Sequence, residues 1–341
     1  VFYIDDDHLV FVMADVSGKG VPAALFMMTA KALIQNNFKA GMNPADAVTM
    51  ANKQLCEHND AEMFVTAWIG VMEIPSGHIT YVNAGHNPPV ICRNGKYEFL
   101  KMKSGFVLAG YDMTKYKTQE LILDDCDSLF LYTDGVTECE NGSHELFGEE
   151  RLLAFMKSHP DLAPKDLVKE LRSELDVHAD GYAQSDDITM MSIKINGKYE
   201  EREFDAAAGQ GEVITEMSDE FLRSNDVSEK IIRNFDICID EIVSNIIKFS
   251  GSEKVSVRAS INNERVSLRF IDSGIQYDPR EAEKPDINAD AEKRPIGGLG
   301  LFMVEKLMDV FDYEYRDGKN ITVIRKMIRT EEHKDKTEGM E

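Results

Sequence analysis

The chain has 341 residues, enough for two ordinary domains with separate cores. Lys and Arg number 38 against 61 Asp and Glu, a net charge of −23, which argues against a nucleic-acid-binding surface and against anionic membrane and leaves protein or small-molecule partners. Cys56, Cys92, Cys126, Cys139 and Cys238 show no CxxC or metal-ligand spacing, no apolar run is long enough to span a bilayer, and nothing reads as a signal peptide; the expectation is a reduced, cytoplasmic protein.

The chain begins Val1-Phe2-Tyr3, without Met and directly in strand-like sequence, so it reads as a piece whose beginning is missing. Residues 9–14, LVFVMA, predict a short buried strand ending on Asp15. Ser17-Gly18-Lys19-Gly20-Val21-Pro22 then predicts a tight turn into a helix over 23–38; the GKG lacks the spacing of a phosphate loop. A second amphipathic helix is expected over 44–58. Strands over 64–74 and 78–83 flank Ser76-Gly77, and strands over 89–93 and 96–100 flank Asn94-Gly95, both hairpin signals. The loop between the hairpins carries His86, for which a structural turn is the favoured reading over a catalytic one. A strand over 128–133 ends on Asp134-Gly135, helices follow over 149–158 and 164–178, and Asp186-Asp187 introduce a last strand over 190–195. Each aspartate taken singly reads as a turn opener. If the strand ends meet, Asp15, Asp134 and Asp186/Asp187 form an all-oxygen cluster suited to Mg²⁺ or Mn²⁺, and two such ions suit phosphomonoester hydrolysis.

ADVSGKGVPAALFM, FVTAWIGVMEIPSGHITYVNAGHNPPVI, LFLYTDGVTE and SDDITMMSIKI, in that order, resemble the SpoIIE/RsbU-type serine/threonine phosphatases of the PPM family across nearly all of 1–195. The resemblance implies a β-sandwich of two antiparallel sheets flanked by helices, with a binuclear Mn²⁺ or Mg²⁺ site at one end. It implies that Asp15 bridges the ions, that the Val16 carbonyl is a ligand, and that Asp134 and Asp186 hold one metal, with Asp187 a further candidate. The GGDFYD-like motif usual in the family upstream of the segment matching 1–7 is not in this sequence, which puts the strength of metal binding in question.

The polar stretch after residue 196 is expected to be a linker over 198–210, dividing a first domain, 1–197, from a second, 211–328, with a charged tail over 329–341. A helix is predicted over 211–224. In the next helix, whose final part is DICIDEIVSNIIKFSG over 236–251, Ile232, Phe235, Ile239, Ile242, Val243 and Ile246 form one apolar stripe. Glu241 and Asn245 lie off the stripe and, four apart, share a face on which a carboxylate and an amide oxygen can converge. Strands are predicted over 254–261 and 265–271, the second ending on Asp272-Ser273-Gly274. A polar stretch over 276–295 reads as a lid or insert, and Gly297-Gly298-Leu299-Gly300 opens a helix over 301–310, where backbone amides can approach phosphate oxygens. A hairpin over 311–315 and 320–326 closes the pattern.

These motifs resemble the GHKL ATPase fold, an α/β sandwich, and more closely the RsbW/SpoIIAB-like anti-sigma-factor serine kinases, over about 205–327. The resemblance implies Asn245 on the Mg²⁺ of bound ATP, Asp272 accepting from the adenine amino group, and Gly274 letting the base approach. It further implies Gly298 and Gly300 at the phosphates and Glu241 as general base toward a serine hydroxyl. A two-component histidine kinase shares the ATP fold, but His178, the nearest upstream histidine, does not continue into a dimerising hairpin. The α+β chain is thus expected to be a bifunctional regulator, a metal-dependent phosphatase joined to a serine kinase. The partners so implied are a phosphorylated STAS-domain anti-sigma-factor antagonist and a sigma factor, and a homodimer is compatible with the pattern. The rival is an ATP-binding second half that sequesters a partner without transferring phosphate.

Overall fold

The structure, a computed structural model, describes residues 1–328 except 58, 75, 94, 161, 185, 263–264, 282–298 and 317. The chain divides into two compact units, Val1–Ile195 and Asn196–Glu341. No helix among the described residues is long and apolar enough to cross a membrane.

The first unit runs β1 (Phe2–Tyr3), β2 (His8–Val16), α1 (Val21–Lys39), α2 (Pro44–Cys56), β3 (Val65–Glu73), β4 (His78–Ala84), β5 (Val90–Arg93), β6 (Lys96–Phe99), β7 (Gln119–Ile122), β8 (Ser128–Tyr132), α3 (Gly148–Ser158), α4 (Pro164–Ala179) and β9 (Met190–Lys194). Two antiparallel sheets form, β1-β2-β3-β4-β7 and β6-β5-β8-β9. The period of two along each strand builds the layers. On β3, Trp68 and Met72 face the second sheet, while Val65, Ala67 and Ile69 face α1 and α2. On β8, Leu129 and Leu131 point between the sheets, and Phe130 and Tyr132 pack toward α3 and α4. Trp68, fully buried, stacks between Phe11 and Tyr81 with ring centroids 5.5 and 4.9 Å away. Gly70 is glycine because a Cβ there would come within 2.6 Å of the Trp68 ring. Helix starts follow local chemistry: Asn43 caps α2 by accepting from the Asp46 amide at 3.0 Å, with Pro44 in the first turn.

The second unit runs β10 (Lys198–Asp205), α5 (Gln210–Ser224), α6 (Glu229–Asn245), β11 (Lys254–Ile261), β12 (Arg265–Asp272), α7 (Leu299–Leu307), β13 (Val310–Arg316) and β14 (Lys319–Met327). Its antiparallel sheet has the order β10-β11-β12-β14-β13. The helices bury one face of it around Ile214, Phe235, Ile239, Val257, Leu268, Phe270, Val304 and Ile324. The predicted stripe of α6 is the core-facing one, with Ile232, Phe235 and Ile239 fully buried.

Several expectations are corrected. The stretch expected as a linker carries β10, which pairs with β11 over its whole length from Lys198↔Ile261 to Asp205↔Lys254. Its charged sequence hid it, because an edge strand needs little apolar surface and is held by backbone bonds. Strand β7 was not foreseen; four residues, QELI, carry too short an alternation to be read alone. Helix α6 ends at Asn245 and widens into a π turn over Ile246–Ser250, stopped by Gly251 at φ 65°. Helix α7 ends at Leu307, and Val310 already belongs to β13.

Candidate functional site

In the first unit the aspartates come from three chain segments gathered at one end of the two sheets. Asp15 lies in the last turn of the β2 ladder, opposite Thr66 of β3. Asp134 opens a 3₁₀ turn, Asp134–Val136, directly after β8. Asp186 lies in the segment leading to β9, which pairs with β8. Backbone packing holds the last two together. The Thr133 hydroxyl donates to the Asp187 carbonyl at 2.8 Å and accepts from the Thr189 amide at 2.9 Å, while the Thr133 amide donates to the Thr189 carbonyl at 3.0 Å. Gly135 lies so close that a Cβ would be 2.5 Å from the Asp187 carbonyl oxygen.

His86 ties the two sheets beside this cluster. It is 5% exposed; its Nε2 lies 3.1 Å from the Tyr132 carbonyl oxygen and its Nδ1 2.9 Å from Thr66 Oγ1. A carbonyl only accepts, so Nε2 carries the proton and Nδ1 accepts from the threonine. Burial pushes the imidazole pKa down to about 4, with the Tyr132 carbonyl opposing, so the ring is neutral. Asn83 fixes the turn by accepting from the His86 amide at 2.8 Å and donating to its carbonyl at 2.8 Å. The structural reading of His86 holds, with the addition that it joins β3, at the residue opposite Asp15, to the strand preceding Asp134.

Carboxylate oxygens of Asp15, Asp134 and Asp186 lie within 4.8 Å of one another. Asp134 Oδ1 is buried and accepts no hydrogen bond. The Asp15 carboxyl is pushed up to about 6, first by burial and then by the charges of Asp134 and Asp186. Glu138 is raised by burial and by the same two neighbours, so it is a fourth acid at the site. Its signal in the sequence is its place four residues after Asp134, whose carbonyl accepts from the Glu138 amide at 2.7 Å. Lys19 lies 3.7 Å from Asp186, but its side chain is 68% exposed, so the pair offsets little of the crowding. Val16 ends β2 with its amide directed at the Asp15 carboxylate. The Asp187 carboxylate lies outside the group of three; that residue contributes its backbone. Crowded carboxylates with an unbonded buried oxygen and no His or Cys ligand fit a hard divalent cation.

In the second unit, Asn245 at the end of α6 donates from Nδ2 to Glu241 Oε1 at 2.7 Å and to the Glu241 carbonyl at 2.7 Å. A Cβ on Gly300, in the first turn of α7, would collide with the Glu241 carboxylate. Asp272, at the end of β12 and 4% exposed, accepts three hydrogen bonds on Oδ1: from Ser250 Oγ at 2.6 Å, the Gly274 amide at 2.9 Å and Asn320 Nδ2 at 2.9 Å. Gly274 is required by Ser250, whose carbonyl and hydroxyl occupy the space a Cβ would take. A small cavity opens here; its lining includes Asn245, Ser250, Asp272, Tyr277, Asn320 and Thr322. The sequence reading did not single out Ser250, Asn320 or Thr322. Gly298 lies outside the described residues.

Two antiparallel sheets between helical layers, with three carboxylates converging at one end, define a protein of the metal-dependent protein phosphatase class. The chain belongs to the family of Stage II sporulation protein E (SpoIIE), whose model matches residues 5–196. Residues 204–326 match the histidine kinase-like ATPase domain. Phosphoserine phosphatase RsbU of Bacillus subtilis (strain 168) is 28% identical over 196 residues, 57% of this chain and 57% of RsbU. Serine-protein kinase RsbW of Listeria monocytogenes serovar 1/2a is 31% identical over 106 residues, 29% of this chain and 68% of RsbW. The SiaA-PP2C domain of Pseudomonas aeruginosa superposes with a TM-score of 0.50 at 21% identity, covering 56% of this chain and 77% of that domain, a likeness of fold. The chain spans about half the length of the RsbU and RsbP phosphatases it matches, 57% and 47%.

Proposed function

We propose that the chain is a bifunctional signalling regulator: its first unit removes phosphate from a serine or threonine of a protein, and its second transfers the γ-phosphate of ATP to a protein serine. The single observation that carries the first half is the convergence of Asp15, Asp134 and Asp186 within 4.8 Å. In this reading Asp15, the Val16 carbonyl, Asp134 and Asp186 would hold Mn²⁺ or Mg²⁺, with Asp187 a further candidate. When bound, such ions supply Lewis acidity that offsets the charge of a phosphate and lowers the pKa of water. The protein's part is to hold the acids at that spacing through Thr133, Gly135 and His86, and to keep them together despite their mutual repulsion.

In the second unit, Asp272 accepts from the adenine amino group and Gly274 gives the base room. Asn245 would hold the Mg²⁺ of ATP, Gly300 would lie toward the phosphates, and Glu241 would accept the proton of the substrate serine. The hydrogen bond from Asn245 to Glu241 Oε1 supports this, since it orients the carboxylate. The relatives' printed activities, a phosphoserine phosphatase and a serine-protein kinase, point the same way. The partner is a STAS-type anti-sigma-factor antagonist in its phosphorylated form for the first unit, with a sigma factor as a further partner and a homodimer as a compatible state.

The test is a pair of assays on one STAS-type protein. Phosphate release from its phosphoserine form is expected with Mn²⁺ and is expected to vanish in Asp134→Asn. Label from γ-labelled Mg·ATP is expected to enter the unphosphorylated form with the native chain and not with Glu241→Gln, which still binds ATP. Transfer retained in Glu241→Gln would remove the base assignment; ATP bound with no labelled protein from the native chain would remove the kinase half.

A further inference from the structure

Asn320 stands on β14 directly opposite Asp272 of β12, in the register that pairs the two strands. It is 2% exposed, and each of its hydrogen-bonding positions is used. Nδ2 donates to Asp272 Oδ1 at 2.9 Å and to the Ile275 carbonyl at 3.0 Å; Oδ1 accepts from the Tyr277 amide at 3.1 Å and from the Tyr313 hydroxyl at 2.6 Å. The amide therefore has one orientation. Reversed, it would set its oxygen against a carboxylate and a carbonyl, and its NH₂ against two donors.

The consequence falls on Asp272. Asn320, Ser250 and the Gly274 amide all bond to Oδ1, and among the described residues no hydrogen bond reaches Oδ2. The carboxylate is thus clamped by one oxygen, and it lines the cavity together with Asn320 and Thr322. An ionised carboxylate oxygen accepts and cannot donate. A base edge presenting an amino group gains a charge-assisted bond there, and one presenting a carbonyl meets repulsion.

We propose that Asn320 is the positioning residue that sets base selectivity in this cavity, acting through Asp272 to admit a 6-aminopurine and refuse a 6-oxopurine. The inference rests on the reading of the cavity as the ATP site and adds the residue that makes it selective. Asn320 also carries the 275–277 segment, through the Ile275 carbonyl and the Tyr277 amide, so one side chain fixes both the carboxylate and the cavity wall beside it. Tyr313 extends the clamp: its hydroxyl donates to the oxygen end of Asn320.

The experiment measures binding of ATP and of inosine triphosphate to the full chain by calorimetry, for the native protein, Asn320→Leu and Tyr313→Phe. The native chain is expected to favour ATP by about a hundredfold, the scale of one hydrogen bond to a charged group made with adenine and lost with the 6-oxo base. Asn320→Leu is expected to bring that ratio below about tenfold, mainly by weakening ATP while leaving inosine triphosphate nearly unchanged. A merely structural loss would weaken both nucleotides together. Tyr313→Phe, a smaller change that preserves the ring, is expected to lower the ratio in the same direction by about threefold, and it decides the matter if Asn320→Leu does not fold. An unchanged ratio in a folded Asn320→Leu, or in Tyr313→Phe where the leucine variant fails to fold, overturns the role of Asn320 while leaving the ATP site standing. Failure of the native chain to bind either nucleotide overturns the ATP-site reading and this inference with it.

Discussion

At the scale of single residues, the first unit keeps two kinds of buried polar group, one destabilising and one stabilising. Asp134 is of the first kind, since its Oδ1 is buried without a hydrogen bond and its charge helps hold the Asp15 carboxyl up at about 6. Asp134→Asn should therefore leave the metal-free protein as stable or more stable, by up to about 1 kcal/mol, while abolishing the rise in melting temperature that Mn²⁺ produces. Trp68 is the one tryptophan of the chain and lies in the first unit, so its fluorescence reads this transition alone. A Mn²⁺ response that survives in the variant would remove Asp134 from the ligand set. His86 is of the second kind. Its pKa is depressed from an ordinary value near 6.5 to about 4, so the unfolded chain takes up the proton first as the pH falls. Its stabilisation is complete above pH 6.5 and declines toward pH 4, by roughly 3 kcal/mol over that window. Urea unfolding followed through Trp68 should show this slope in the native chain and lose that component in His86→Gln, which keeps a donor and an acceptor without a titrating ring. Equal slopes in the two proteins would mean that His86 does not carry it.

At the scale of elements, what matters is how strand ends are brought together. Sheet pairing delivers Asp134 and Asp186 to the same edge through β8 and β9, and Gly135 lies closer to the Asp187 carbonyl than a Cβ would allow. Gly135→Ala puts a Cβ 2.5 Å from that oxygen and must push the 3₁₀ turn away from the segment before β9. The expected cost is about 1–3 kcal/mol of first-unit stability together with loss of the Mn²⁺ response, measured by the same fluorescence transition. An unchanged response would show that the two backbones can separate without disturbing the carboxylates. In the second unit the π turn after α6 plays the comparable part. By widening the last turn it sets Ser250 against Asp272, and the glycine at 274 follows from that contact. The Asp-Ser-Gly motif was visible in the sequence; the reason for its glycine was not, because Ser250 approaches it from a different element.

At the scale of the whole molecule, two units with separate cores predict two thermal transitions. Calorimetry should resolve one that coincides with the Trp68 signal and rises with Mn²⁺, and a second, silent in tryptophan fluorescence, that rises with Mg·ATP. A single transition responding equally to both ligands would contradict the assignment of one ligand to each unit. The net charge of −23 belongs to this scale as well, since it leaves protein and nucleotide as the partners to test rather than nucleic acid.

The sequence by itself determined the order of the two folds, most of the helices and strands, and the acids Asp15, Asp134, Asp186 and Asp187 as residues to watch. Those features rest on short-range causes: hydrophobic period, turn residues and caps act within a few residues of chain. Tertiary structure alone decided that the first three of those carboxylates meet while that of Asp187 stays outside the group, and that His86 joins two sheets. It also decided that the charged stretch after Asn196 is the strand β10, and that Asn320 holds Asp272. It likewise decided that Arg258 and Arg269 are 3% and 6% exposed, with Glu201 paired to both. Each of these depends on register between strands distant in the chain, which is set by the summed packing of whole sheets and carries no signature at the residues it brings together.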